Sequence, residues 1–264
     1  MQKKIAVIND LSGYGRCSLT VAIPVLSAMG HQCCPVPTAI LSNHTEFPVY
    51  FFDDYTEKMT AYTDKWKELG LSFDAVATGF LGSEAQIEIV MDMIRKLESE
   101  ETFVVVDPVM GDHGHAYETY TPEMCEQMKE LVCMADIVLP NVTECCILTD
   151  TPDKKENWTR RELLNMAMML RLMGAKSVVI TGVREGSYYT NVVLERGQME
   201  AKFIRTRSSG GERPGTGDVF SSVVAGALLN GKSLPEAVAQ AAGFVKECIK
   251  VSDEEQIPHA NGVC

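Results

Sequence analysis

The chain has 264 residues, 45% of them hydrophobic, and a formal net charge of −12. That is enough for one large core, and no apolar run approaches the ~20 residues needed to span a bilayer. The acidic balance argues against nucleic acid or an anionic membrane as a partner, since both demand clustered Lys and Arg, but it leaves a nucleotide held by backbone donors and a metal open.

Ile5–Ile8 reads as a buried first strand. Its apolar run is shorter than the roughly 7–15 residues of a signal peptide's core. A helix is expected near Leu19–Met29, then an apolar run over Val36–Leu41. Helices are next expected over Thr56–Leu69, Ala85–Leu97, Pro122–Cys133 and Arg161–Met173. Between them Ala75–Ala77, Phe103–Val106, Ile137–Leu139 and Val178–Ile180 read as strands apolar on both faces. Buried strands alternating with helices predict an α/β fold with a mainly parallel sheet. Tyr188–Leu194 and Lys202–Thr206 read as a β-hairpin around Glu195-Arg196-Gly197-Gln198, at one sheet edge. Two helices end the chain, the last with Ala237, Val238, Ala241, Ala242, Val245, Cys248 and Ile249 on one face. No internal repeat is visible, and a single domain over residues 1–264 is expected. The nine cysteines include no CxxC spacing and read as reduced, mostly buried thiols of a cytoplasmic protein.

Each apolar run gives way to polar or small residues: Asn9-Asp10, Thr78-Gly79, Asp107-Pro108, Pro140-Asn141 and Thr181-Gly182. In an open parallel sheet these positions fall along the carboxyl edge of the strands, where ligands bind. The most informative run is Gly215-Thr216-Gly217-Asp218, set before a helix whose apolar stripe is Val219, Phe220, Val223, Val224, Ala227 and Leu228. A glycine turn opening a helix leaves backbone N–H groups aimed at one point, a site for phosphate. Asp218 at its mouth suggests a base that takes a proton from a hydroxyl while Gly215, Thr216 and Gly217 cradle a transferring phosphoryl group. Asp107 and Asp112, on a turn after a buried strand, suit Mg²⁺, as does Glu144 beyond Asn141. Ser42-Asn43-His44-Thr45 clusters polar side chains in a loop suited to a small ligand, and Asp10, Ser12 and the turn Gly13-Tyr14-Gly15 are expected to wall the same pocket after the first strand. Ser208–Pro214 reads as a mobile loop able to close over a nucleotide.

These motifs, in this order and spacing, resemble the ribokinase-like superfamily. The stretches Ser42 to Thr45 and Asp107 to Asp112 are similar to the pyridoxal/pyridoxamine kinases within it; Gly79-Phe80-Leu81-Gly82-Ser83, Pro140-Asn141 with Glu144, and Gly215 to Asp218 complete the resemblance over Ile5 to Ile249. The resemblance implies a three-layer fold and ATP-dependent phosphorylation of the 5′-hydroxymethyl group of a vitamin B6 vitamer. It implies Asp218 as base and Asp107, Asn141, Glu144, Thr181 and Thr216 around ATP and Mg²⁺. It further implies Asp10, Ser12, His44, Thr45 and Phe80 on the vitamer side, and a homodimer; a monovalent cation such as K⁺ is left open. Two positions depart from the pattern: Asp10 stands where many pyridoxal kinases carry Ser, and Phe80 where Tyr is common. An anionic Asp10 would suit an aminomethyl cation and so favour pyridoxamine. Asn9-Asp10-Leu11-Ser12-Gly13 is partly similar to the hydroxymethylpyrimidine kinases of thiamin synthesis, which keeps that substrate as an alternative. A catalytically silent vitamer-binding protein is a third reading.

Overall fold

Nine strands pair into one sheet in the order β11-β10-β9-β8-β5-β4-β1-β2-β3, seen in a computed structural model that describes residues 2–97, 99, 101–154 and 156–264. The central six are β1 (Lys4–Tyr14), β2 (Gln32–Asn43), β4 (Ala75–Thr78), β5 (Phe103–Val106), β8 (Ile137–Val138) and β9 (Ser177–Glu185). They run parallel. Antiparallel strands finish both edges: β3 (Phe52–Asp54) beside β2, and β10 (Tyr188–Leu194) with β11 (Lys202–Arg207) beside β9. A separate two-stranded ribbon joins β6 (Gly111–Asp112) to β7 (His115–Ala116).

Alternation along β1 explains why its residues are apolar on both faces. Ala6 and Ile8 enter a core shared with α2 (Thr56–Glu68), α3 (Glu84–Leu97), α4 (Pro122–Cys133), α5 (Val142–Leu148) and α6 (Arg160–Met173). Ile5 and Val7 enter the opposite core, shared with α1 (Ser18–Ala28), α7 (Thr216–Leu229) and α8 (Leu234–Glu254). The molecule is therefore helix, sheet, helix, as the fold class requires.

Three expectations need correction. The first strand does not end at Ile8: β1 pairs with β2 as far as Tyr14 opposite Asn43, with a register shift between Asn9 and Leu11. Asp10, Ser12, Gly13 and Tyr14 are thus strand residues, and Ser42 and Asn43 end β2 rather than lie in a loop. Polar residues hid this extension because it projects past the apolar core, where alternation no longer reports burial. Likewise β9 runs on to Glu185, so Thr181 and Gly182 sit within it; the expected hairpin of β10 with β11 is present at the sheet edge, and β9 joins it antiparallel through a turn at Gly186.

Candidate active site

Gly215 is the N-cap of α7 and has a left-handed backbone, φ 81°. A Cβ there would fall on the Arg16 carbonyl oxygen, so only glycine allows this approach. Thr216, Gly217 and Asp218 form the first turn, whose N–H groups have no partner within the helix. Space beside Gly217 is open, and the Thr216 hydroxyl donates to the Arg213 carbonyl at 3.0 Å.

Asp218 also faces the start of α1. Its Oδ2 accepts the Ser18 backbone N–H at 2.7 Å and its Oδ1 accepts Asn9 Nδ2 at 3.0 Å. Burial pushes its carboxyl up to about 6; the Ser18 N–H opposes this, the Asp10 charge adds to it, and Asn9 again opposes it. Asp10 is buried on β1 and accepts the hydroxyls of Ser18, at 2.5 Å, and Ser12, at 2.9 Å. Burial raises its carboxyl as well, against the pull of those two hydroxyls. Ser18 reaches both acids from a left-handed backbone, φ 51°, uncommon outside glycine. Neither Ser18 nor the contact of Asn9 is expected from the sequence: a serine opening a helix reads as an ordinary cap, and a backbone conformation leaves no residue-type signal.

Asp107 comes directly after β5 and lies near Asp218 and Glu144. Burial, then the Asp218 charge, holds its carboxyl well above the usual range, while the Ser221 hydroxyl opposes this. Glu144 is buried and raised by the same cause and by Asp107. Its two oxygens accept the N–H groups of Asn141, at 2.8 Å, and Met110, at 3.2 Å. Asn141 caps α5 in return, with Oδ1 accepting Glu144 N–H at 2.9 Å, and its Nδ2 donates to the Gly111 carbonyl at 2.8 Å. Thr181 donates its N–H to Pro140 at 2.8 Å and bridges Asn141. Asp112 is exposed on β6, 3.9 Å from the His113 ring. Among the described residues no three acids, cysteines or histidines form a ready-made metal cage. Two buried acids of raised proton affinity, Asp107 and Glu144, nevertheless fit Mg²⁺, which takes one or two carboxylates and completes its shell from water and substrate phosphates.

The vitamer-side set divides. Phe80 is half-buried, and its backbone is fixed at both ends: its N–H donates to Asn9 Oδ1 at 2.9 Å, and its carbonyl accepts the Thr38 hydroxyl at 3.0 Å. His44 is buried near Asp10, but its Nε2 is 2.7 Å from the Ala260 carbonyl, tying β2 to the C-terminal segment. Gly15 makes room for that ring. Thr45 is exposed in the adjoining turn. The 208–214 segment is pinned at several points, with Arg213 donating to the Ile257 carbonyl and Asp253, and Ser209 to the Lys246 carbonyl.

Known proteins share this fold and much of this sequence. A solved Bacteroides thetaiotaomicron protein, provisionally named a phosphomethylpyrimidine kinase and crystallised with pyridoxal, is 39% identical and superposes with a TM-score of 0.95, covering 100% of this chain and 93% of its own. The Lactobacillus plantarum pyridoxal kinase structure is 28% identical, with a TM-score of 0.92 over 100% of this chain and 94% of that one. The Bacillus subtilis pyridoxine kinase is 27% identical over 260 residues, 96% of this chain and 85% of that protein. The phosphomethylpyrimidine kinase family model matches residues 22–263. With its ribokinase-like fold and its likeness to enzymes that phosphorylate an alcohol group, the chain belongs to the phosphomethylpyrimidine kinase family.

Proposed function

We propose that this protein transfers the γ-phosphoryl group of ATP to the 5′-hydroxymethyl group of a pyridine vitamer: pyridoxal, pyridoxamine or pyridoxine. The observation that carries the reading is Asp218, a carboxylate with raised proton affinity set between the N-termini of α1 and α7. An acid raised to about 6 is ionised at neutral pH yet basic enough to take a hydroxyl proton. The substrate oxygen then bonds to the γ-phosphorus, the bond to the β,γ-bridging oxygen breaks, the proton passes to Asp218 and ADP leaves. N–H groups of the Gly215–Gly217 turn receive the developing negative charge. Thr216, Asn141 and Thr181 would line the nucleotide, and Asp107, with Glu144 and Asp112 nearby, would hold Mg²⁺. That ion would neutralise phosphate charge when bound. Asp10, Ser12 and Phe80 would meet the ring, with His44 and Thr45 behind them.

Pyridoxal in the Bacteroides neighbour favours this acceptor over a pyrimidine. The family description keeps hydroxymethylpyrimidine as the second reading. ADP release with MgATP against both classes decides: turnover of pyridine vitamers alone supports the proposal, and turnover of the pyrimidine alone replaces it. No turnover with any acceptor would leave a vitamer-binding protein.

We further infer a homodimer in a reducing, cytoplasmic setting. All nine cysteines are unpaired thiols. Val49, Tyr50, Phe51 and Phe52 are exposed around the edge strand β3, beside Tyr14, which suits cover by a second copy.

A further inference from the structure

We infer that Asn9 is a positioning residue for the base, locked between β1 and the end of the neighbouring strand β4 so that its amide aims one N–H at Asp218. The inference rests on Asp218 being the base, and adds a residue that acts only through it.

The hydrogen bonds leave one amide orientation. Two backbone N–H groups, those of Asp10 at 3.0 Å and Phe80 at 2.9 Å, meet the same end of the Asn9 side chain. Both are donors, so that end must be the oxygen, and the NH₂ end must face Asp218 Oδ1, 3.0 Å away. Asn9 is 5% exposed, which leaves it little freedom to turn. Gly79 completes the lock from the end of β4, because any Cβ there would occupy the place of the Asn9 amide. A donor fixed on Oδ1, with Ser18 N–H on Oδ2, sets the carboxylate plane and stabilises its ionised form.

Several other groups influence the same acid. Asp10 faces it from β1, the buried Cys17 thiol from before α1 and Asp107 from after β5. Tyr117, after β7, senses both Asp107 and Asp218. Of these, Asp10 opposes the charge on Asp218, Asp107 is itself raised by that charge, and the Cys17 thiol stays neutral; Asn9 is a neutral side chain that favours the ionised form.

Asn9→Asp isolates the effect. The substitution keeps the oxygen that accepts from Asp10 and Phe80, and exchanges only the donor facing Asp218 for a like-charged acceptor. The acid limb of the kcat/KM profile should move up by about one pH unit or more, with activity recovering on the alkaline side. Carboxyl ¹³C titration of the free enzyme should move in the same direction, in a variant whose far-UV circular dichroism shows the native fold. Gly79→Ala displaces the amide from the opposite strand and should move the limb the same way, which keeps the test open should Asn9→Asp fold poorly. An unmoved limb and titration in a folded variant would overturn the inference, as would a fall in stability alone. Asp218→Asn separates the two claims: retained activity there would remove the base assignment itself.

Discussion

A carboxylate that takes a proton must first be free of one, so on the proposed role of Asp218 its environment sets the working pH. Burial raises its proton affinity to about 6, and kcat/KM should therefore climb with pH through about 6 and level above it. An acid limb far below that value would mean that Asp218 is more solvated than its packing indicates. Asp218→Asn should cut kcat by roughly 10²–10⁴-fold and leave nucleotide affinity nearly unchanged, read by steady-state kinetics and by ATP titration. Gly215→Ala has a different failure mode. Its φ of 81° costs a non-glycine residue about 1–2 kcal/mol, and the added methyl meets the Arg16 carbonyl. The expected result is a lower melting temperature together with lost turnover; wild-type values of both would show that the turn can rearrange.

At the scale of elements, the buried acids at the end of β5 and the starts of α5 and α7 carry a cost in stability. Asp107 is raised in the folded state by burial and by the Asp218 charge, and Glu144 by burial and by Asp107. A raised acid binds more protons folded than unfolded, so its contribution is lost as pH rises from the ordinary carboxylate range, near about 4, through the raised folded value. Without divalent ions the protein should lose melting temperature between mildly acidic and alkaline pH, and Mg²⁺ should restore more of it at the alkaline end. Asp107→Asn should flatten both responses; an unchanged pH slope would remove Asp107 from this cluster. The cap of α5 can be tested apart from the metal. Asn141→Ala removes the acceptor of Glu144 N–H and should destabilise by about 1 kcal/mol in urea unfolding.

For the whole molecule, the sheet brings the site together: residues from β1, β4, β5, β9 and the start of α7 meet along one edge although they are up to about two hundred positions apart, as Asn9 and Asp218 are. The same sheet leaves β3 as a short outer edge ringed by exposed Val49, Tyr50, Phe51 and Phe52. Light scattering after size-exclusion should give a dimer for the natural chain and a monomer for Val49→Asp/Phe51→Asp. A monomeric natural chain would overturn the dimer inference.

Local signals determined much of this protein. Apolar runs and helical stripes are written in residue order, so the α/β class, the parallel centre and the helices between the strands other than the short α5 were legible before any contact was known. So was the Gly215–Asp218 turn, because glycine spacing before an apolar stripe has a backbone meaning of its own. Tertiary structure decided the rest. The polar halves of β1 and β2 are strands only because each pairs with the other, which no local pattern records. Glu144 reads as an acid suited to Mg²⁺, and only packing shows that its two oxygens also accept backbone N–H groups of Asn141 and Met110. His44 reads as ligand-facing, yet it meets a carbonyl from a segment 216 positions away. Asn9 and Ser18 acquire their contacts with Asp218 only where β1, α1 and α7 converge. A side chain's chemistry is fixed by its type, but its partners are fixed by what packing brings within about 3 Å of it.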